Sequence, residues 1–245
     1  MFDNHFEVFL ADTKESKKIH YSIRYQVFCE EMGFENKDDF PLQMECDEND
    51  DKAVHFIVRD KFSGDWVCAM RLIPKQDTLL PIETHCKINE KIEANDLFGA
   101  VELSRLCLVK DVRRGFNDID PPHGISDDSE QPKETNKIKL MSARLKTKRM
   151  IIWGLIYAAS VYCYKNKIHN WYFMTTSALV KVLRRGGLNL INIGESCQHN
   201  GERFPFKMDV VETFKNQIWQ KGYKKGYKLF SELSDAQQFP AFAVA

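Results

Sequence analysis

The ten residues from Ala100 to Val109 (AVELSRLCLV) constrain this chain more than any other stretch. Eight of them are apolar or small, the composition of a strand buried on both faces. Two of the ten are nevertheless charged, Glu102 and Arg105. Desolvating an ionised group costs several kcal/mol in practice, so buried charges require partners. Strict alternation puts Glu102 and Ser104 on one face and Arg105 on the other. If Glu102 and Arg105 serve one site, a bulge must re-aim one of them.

Other charges sit in similarly apolar or positioned contexts. Ile19, Ile23 and Val27 recur at helical spacing, and Arg24, Phe28 and Glu31 form a second stripe on the same predicted helix, whose N-terminus is set at Asp12 by the Asp12–Glu15 pair. A solvated Arg–Glu face competes with a functional reading of that second stripe. Arg71 lies in Ala69–Ile73, the second strand of a hairpin formed by 53–59 and 66–73 around a turn containing Gly64. The acidic loop 35–51 contains Glu45, Asp47 and Asp50. It lacks the sixth-position Gly and twelfth-position Glu of a calcium-binding EF-hand. Together these charges set Arg24, Arg71 and Arg105 against Asp47, Asp50 and Glu102. Guanidinium is the cation suited to bidentate carboxylate pairing. A structural ion-pair network competes with an active site, and the cost of burying pairs favours the site.

The remainder reads as a mixed sheet with helices. Phe6–Leu10 is a strand, a short helix is placed near Ile88–Asn95, and a helix resumes near Thr135 and runs through the apolar segment Met150–Tyr164. That segment spans 15 residues, short of the roughly 20 a membrane-spanning helix needs. Strands follow at 171–175, 188–193 and 203–211, with a helix at 177–185 stopped by Gly186-Gly187. A final helix from Glu212 places Trp219, Tyr223, Tyr227 and Phe230 on one face, a stripe that serves the core more often than a partner. The polar segment near 117–134 is a flexible insertion within a single domain, 1–245.

Basic and acidic residues balance at 35 each, which argues against nucleic acid or a membrane surface as partner. Seven cysteines are scattered with no C-x-x-C pair, the usage of a reducing compartment in which thiols fill apolar space. Zinc and any other metal site are unexpected on the same ground. The first residues carry no basic and apolar leader pattern, so a soluble, cytoplasmic protein is expected.

The spacing Arg24-x-x-x-Phe28, Glu45-x-Asp47-x-x-Asp50, Arg71-Leu72 and Glu102-x-Ser104-Arg105 resembles the motif set of the acyl-homoserine lactone synthases, relatives of the GNAT acyltransferases. Over almost the whole chain the sequence resembles more closely the PEP-CTERM/exosortase-associated acyltransferases. The matching blocks are Arg24–Gly33, His55–Ile73, Leu80–Glu83, Glu102–Val109 with Arg113 and Arg114, Ile168–Tyr172, Leu183–Arg185 and His199–Pro205. The N-acyl amino acid synthases are the other near relative.

This resemblance implies a GNAT-like α/β fold, an α+β mixed sheet in which the central strand splays from the next near 170–176. Its opened edge receives a phosphopantetheine thioester. It further implies transfer of a fatty acyl group from acyl carrier protein (ACP) or coenzyme A to a small amine, with no permanently bound cofactor. Glu102 is the expected base, since burial raises a carboxyl pKa. Arg24, Phe28, Asp47, Asp50, Arg71, Ser104 and Arg105 are expected to bind substrate, with Arg71 and Arg105 on an acceptor carboxylate. Leu106, Cys107, Leu108, Arg113 and Arg114 are expected at the pantetheine and its phosphate. Cys107 as a nucleophile is the minor alternative to a buried filler.

The segment Arg113-Arg114-Gly115-Phe116 offers one glycine, where relatives using coenzyme A have a glycine-rich turn entering a helix. This favours ACP as donor, docked on Lys148, Arg149, Arg184 and Arg185. Phe34 stands where the lactone synthases usually carry Trp, which favours a product other than a homoserine lactone. A lactone synthase and a non-catalytic acyl-carrier-binding protein remain alternatives.

Overall fold

The computed structural model describes residues 2–92, 99–113, 136–220 and 222–237. At its centre is a largely apolar hairpin, β2 (Val54–Asp60) and β3 (Trp66–Pro74), with His55–Val58 and Val67–Ile73 buried. On one side β1 (Phe6–Leu10) adds antiparallel to β2, and β9 (Lys228–Leu229) adds parallel to β1. On the other, β4 (Ala100–Leu108) pairs antiparallel with β3. Beyond it lie β5 (Asn170–Thr175), β8 (Glu202–Asp209), and the short β6 (Ile191–Asn192) and β7 (Cys197–Gln198), which both pair with β8. The described strands thus form one mixed sheet in the order β6-β8-β5-β4-β3-β2-β1-β9.

Helices cover both faces. α2 (Lys14–Arg24) continues directly into a π-helical stretch, Tyr25–Glu31, and packs on β2, β3 and β4. α5 (Asn136–Lys165) packs on β1 and β2 from the opposite side. Its buried residues include Ile151, Ile152, Leu155, Ile156, Ala158 and Ala159, so it carries the main core. The preceding α1 (Phe2–His5) lays the Phe2 ring against Gly154, where any Cβ would collide with it. The remaining short helices are α3 (Pro81–His85), α4 (Lys110–Arg113), α6 (Ser177–Arg185), α7 (Val210–Phe214) and α8 (Phe230–Gln237). No helix among the described residues is long and apolar enough to cross a membrane.

Several local readings change. The α2 cap is Thr13, whose hydroxyl accepts from Ser16 N–H; Asp12 instead accepts from the backbone and hydroxyl of Ser231. Ile88–Ile92 is not helical, and the helix of that region is the earlier α3, begun by Pro81. The strand expected over 188–193 is reduced to Ile191–Asn192.

The expected continuous final helix is broken as well. α7 ends at Phe214, a 3-10 turn spans Gln217–Gln220, and Gly222 and Gly226 adopt positive φ values of 113° and 64°. Glycine enters that region without the clash a side chain meets. The aromatic stripe still packs as core, with Trp219 buried and Tyr223, Tyr227 and Phe230 against it. The proposed insertion at 117–134 lies outside the described residues.

Candidate functional site

The charged residues singled out by their apolar contexts converge beneath α2. Arg24 is fully buried, which removes the solvated-face reading of its stripe. Its Nε donates to Glu45 and its other arm to Asp50 at 2.6 Å. Asp50 is shared further: the same oxygen accepts from Arg71 at 2.7 Å and pairs with His55 Nε2 at 3.1 Å. Arg71, one pleat along β3, holds Asp47 through both guanidinium arms at 2.6 and 2.7 Å and donates Nε–H to Ser104 Oγ at 2.9 Å. Burial alone raises the Asp50 pKa. The hydrogen bond from His55 and the charges of Arg24 and Arg71 outweigh it and hold the group below the usual carboxylate range. Asp47 and Glu45 are lowered too, against burial, by Arg71 and by Arg24 respectively.

Arg105 joins this cluster through the irregularity that strand alternation requires. The β3–β4 register runs Arg71↔Ser104 and then Ala69↔Cys107, so β4 spends one extra residue opposite Met70. That β-bulge coincides with Arg105 at φ 53°, a left-handed conformation uncommon for a side-chain-bearing residue. Arg105 consequently lies on the same side as Ser104. It reaches Glu45 at 3.1 Å, Asp47 at 3.4 Å and Glu35 at 3.5 Å, with its guanidinium 5.6 Å from the centre of the Phe28 ring. Arg71 and Arg105 are therefore committed to protein carboxylates. Both still line the cavity described below.

Glu102 stands apart from this network. It is fully buried, and one carboxylate oxygen accepts from Ile82 N–H at 2.8 Å in the first turn of α3. Its other oxygen, Oε1, is buried without a hydrogen-bond partner. Burial raises its pKa to about 8, with the Ile82 bond and the Arg71 charge opposing only in part. Its position is also singular. β4 and β5 pair in parallel through three residue pairs, the last being Glu102↔Tyr172, and then diverge. Glu102 sits at the vertex of that divergence.

A cavity of about 260 Å³ opens from this vertex. Glu102, Ser104, Arg71, Arg105, Asp47 and Phe28 all line it, so the structure brings these candidates together. Arg24 and Asp50 do not line it; Asp50 holds Arg71, which does, and Arg24 in turn holds Asp50. A second, mainly apolar cavity of about 90 Å³ continues between β4 and β5, walled by Leu103, Leu106, Phe173, Met174 and, from α5 and α6, Ile156, Leu179 and Leu183. Cys107 is fully buried and its thiol is pushed by burial up to about 12, so it is a core filler. Leu108 is core as well. The side chain of Arg113, all of Arg114 and the side chain of Lys148 lie outside the described residues. No group of three or more His, Cys, Asp or Glu among the described residues is placed to hold a metal ion.

Another part of the lining was not anticipated. His85, at the end of α3, and His199, in the β7–β8 turn, line the cavity with ring centres 4.2 Å apart, and Arg203 at the start of β8 joins them. Behind them Cys86 and Cys197 form a disulfide that ties α3 to β7. This corrects the reading of all seven cysteines as apolar thiols and removes that argument for a reducing compartment. Neither element is visible from spacing, because the partners lie 111 residues apart. The one available signal for Arg203 was its place in the block His199–Pro205.

A model of the GNAT acetyltransferase domain matches residues 23–118. Among solved structures, the CoA-dependent acyl-homoserine lactone synthase BjaI, with SAM and isopentyl-CoA, superposes with a TM-score of 0.61 at 15% identity, covering 96% of this chain and 99% of its own. TofI in a ternary complex with an inhibitor and MTA gives 0.57 at 16% identity, over 86% and 98% of the two chains. The acyl-homoserine lactone synthase LasI gives 0.56 at 15%, over 86% and 95%. The fold is thus GNAT-like and of the kind these synthases share. No curated protein matches the sequence.

Proposed function

We propose that this protein is an N-acyltransferase that moves a fatty acyl group from an ACP or coenzyme A thioester to the amine of a small acceptor, an amino acid or a related molecule. The observation that carries the reading is Glu102: a buried carboxyl with a raised pKa and a free oxygen, at the point where the two central strands separate and beside a cavity. A GNAT-like frame with an opened strand edge suits a thioester donor, because backbone groups of β4 beyond Glu102 are released from pairing with β5.

In this reading the pantetheine arm lies along that edge and the acyl chain enters the apolar cavity between β4 and β5. Glu102, once ionised, takes a proton from the acceptor ammonium. The freed nitrogen attacks the thioester carbonyl, and backbone N–H groups at Leu106–Leu108 stabilise the tetrahedral oxyanion. The C–S bond breaks as the amide forms, and the thiolate leaves with the nitrogen's second proton. Attack is direct, since a Cys107 thiol pushed to about 12 is a poor nucleophile at neutral pH. The buried Arg24–Asp50–Arg71–Asp47 network orders the 35–51 loop over the cavity.

The long polar segment after Arg113-Arg114 favours an ACP donor. Of the proposed docking residues, Arg184 donates to Leu190 O and lies over the Phe206 ring. The PEP-CTERM/exosortase association and a cytoplasmic location rest on the sequence. The second reading, a homoserine lactone synthase, is favoured by the convergence of Arg71, Asp47, Glu102, Ser104 and Arg105 around one cavity.

The test is mass spectrometry after incubating the protein with decanoyl-ACP or decanoyl-CoA and a panel of amines that includes S-adenosylmethionine. An N-acyl amine that disappears in Glu102→Gln supports the transferase, and an acyl lactone supports the second reading. ACP binding with no product from any amine points to a carrier-binding protein instead.

A further inference from the structure

Each cation on the loop-side wall of the cavity has a protein carboxylate: Arg71 has Asp47 and Asp50, and Arg105 has Glu45, Asp47 and Glu35. Arg203 has none. It is 3% exposed and lines the cavity, yet among the described residues its hydrogen bonds go only to two backbone carbonyls, Asn200 O at 2.6 Å and Glu202 O at 3.1 Å. A guanidinium carries five N–H donors, so these two bonds leave donors over. Burial lowers its pKa, with no acidic side chain among the described residues to offset the cost. Arginine is the side chain shaped for bidentate capture of a carboxylate.

The surroundings fit an anion. His199 is held neutral at pH 7, its pKa lowered to about 4 by burial and by the neighbouring His85, Arg105 and Arg203. The imidazoles of His85 and His199 therefore add hydrogen-bonding atoms beside Arg203. The same cavity is lined by Glu102 with its free Oε1, which suits a cation. A single cavity lined both by an acid with a free oxygen and by a guanidinium with no carboxylate partner among the described residues matches an acceptor bearing both charges.

We infer that Arg203, flanked by His85 and His199, is the acceptor-carboxylate subsite, so that the acceptor is an amino carboxylate bound with its ammonium toward Glu102. This assignment rests on the acyltransferase reading and gives to Arg203 the role first expected of Arg71 and Arg105, whose guanidinium groups already face protein carboxylates. It predicts which amines are accepted: those carrying a free carboxylate, S-adenosylmethionine among them, and not the matched amines that lack one.

The experiment has a turnover arm and a binding arm. In the first, decanoyl-CoA or decanoyl-ACP is offered with paired acceptors, leucine with isoamylamine and phenylalanine with phenethylamine, to the wild-type protein, Arg203→Gln and Arg203→Lys. The wild type should prefer the amino acids by roughly 10- to 100-fold in kcat/KM, the range of a charge-assisted hydrogen bond. Arg203→Gln should erase that preference chiefly through KM, and Arg203→Lys should keep part of it. In the second arm, N-decanoyl-phenylalanine and its methyl ester are titrated calorimetrically. The acid should bind the wild type more tightly than the ester by a similar factor, and Arg203→Gln should bind both alike.

Transfer without a preference for carboxylates, or a preference that survives Arg203→Gln, overturns the subsite and leaves the transferase standing. If no acceptor is acylated, the transferase reading fails, and the binding arm alone decides whether Arg203 holds a carboxylate. Should Arg203→Gln not fold, Arg203→Lys and His199→Ala carry both arms. A purely structural Arg203, holding the β7–β8 turn by its two carbonyls, would change stability without changing acid-over-ester discrimination.

Discussion

Replacing Glu102 by Gln separates catalysis from stability in opposite directions. The pKa of Glu102 is raised from 4.5 to about 8. The folded state therefore holds a proton that the unfolded chain releases above pH 4.5, and stability is lost progressively as pH rises from there through about 8. At pH 7 the gap is about 2.5 units, which corresponds to roughly 3 kcal/mol of destabilisation by the native carboxyl. Gln does not ionise, and its carbonyl can still accept from Ile82 N–H. The variant should match the wild type near pH 4 and exceed it by about 3 kcal/mol at pH 7, a rise in Tm of roughly 6–12 °C. Acyl transfer should fall by roughly 10²–10⁴ at every pH. In the wild type kcat/KM should climb with pH and level off above about 8, because only about a tenth of the base is ionised at pH 7. Urea unfolding at pH 4, 7 and 8.5 alongside a thioester-consumption assay tests both halves. A stability difference that does not vary with pH, or a Gln variant that retains full turnover, would refute the reasoning.

Four other perturbations have defined outcomes. Asp50→Asn removes the carboxylate shared by Arg24, Arg71 and His55 and should cost about 3–5 kcal/mol; a urea-midpoint change worth less than about 1 kcal/mol, as for an exposed pair, contradicts that role. The lowered pKa values of Asp47, Asp50 and Glu45 add stability that is present above pH 4 to 5 and lost as pH falls below it, which acid titration by circular dichroism would show. Reducing the Cys86–Cys197 disulfide, or replacing Cys86 by Ser, opens a loop of 111 residues and should lower stability by up to roughly 4–5 kcal/mol while raising acceptor KM; an unchanged melting curve with dithiothreitol argues against the bond. Leu183→Trp, in the apolar cavity, should shift preference to shorter acyl donors, and an unchanged chain-length profile would place the acyl chain elsewhere.

What the sequence disclosed here was chemical incongruity. Glu102, Arg105 and Arg71 are conspicuous because they interrupt apolar strands, and the requirement for a bulge follows from the parity of a pleat. Glu45 was harder to single out: it stands in a run of acids, and only folding shows that it, and not Glu48, turns under Arg24. Arg203 was hidden for the opposite reason. A basic residue at the beginning of a strand is ordinary, and nothing local records that its surroundings lack an acid. The last helix was overextended because the spacing of Trp219, Tyr223 and Tyr227 imitates a helical face, whereas Gly222 and Gly226 let the chain turn between them. The disulfide depends on two segments meeting in space, which no local pattern encodes.

The extra residue in β4 gives that strand two frames. Ser104 and Cys107, three positions apart, both face α2, the first opposite Arg71 and the second opposite Ala69. Upstream of Arg105 odd and even positions mean one thing, and downstream they mean the reverse. Deleting Arg105 would restore a uniform zigzag and turn the Cys107 side chain away from the helix it supports. An alignment that closes a one-residue gap at this place would therefore equate residues on opposite sides of the sheet, and a mutational scan that assumes simple alternation would misread every position after it.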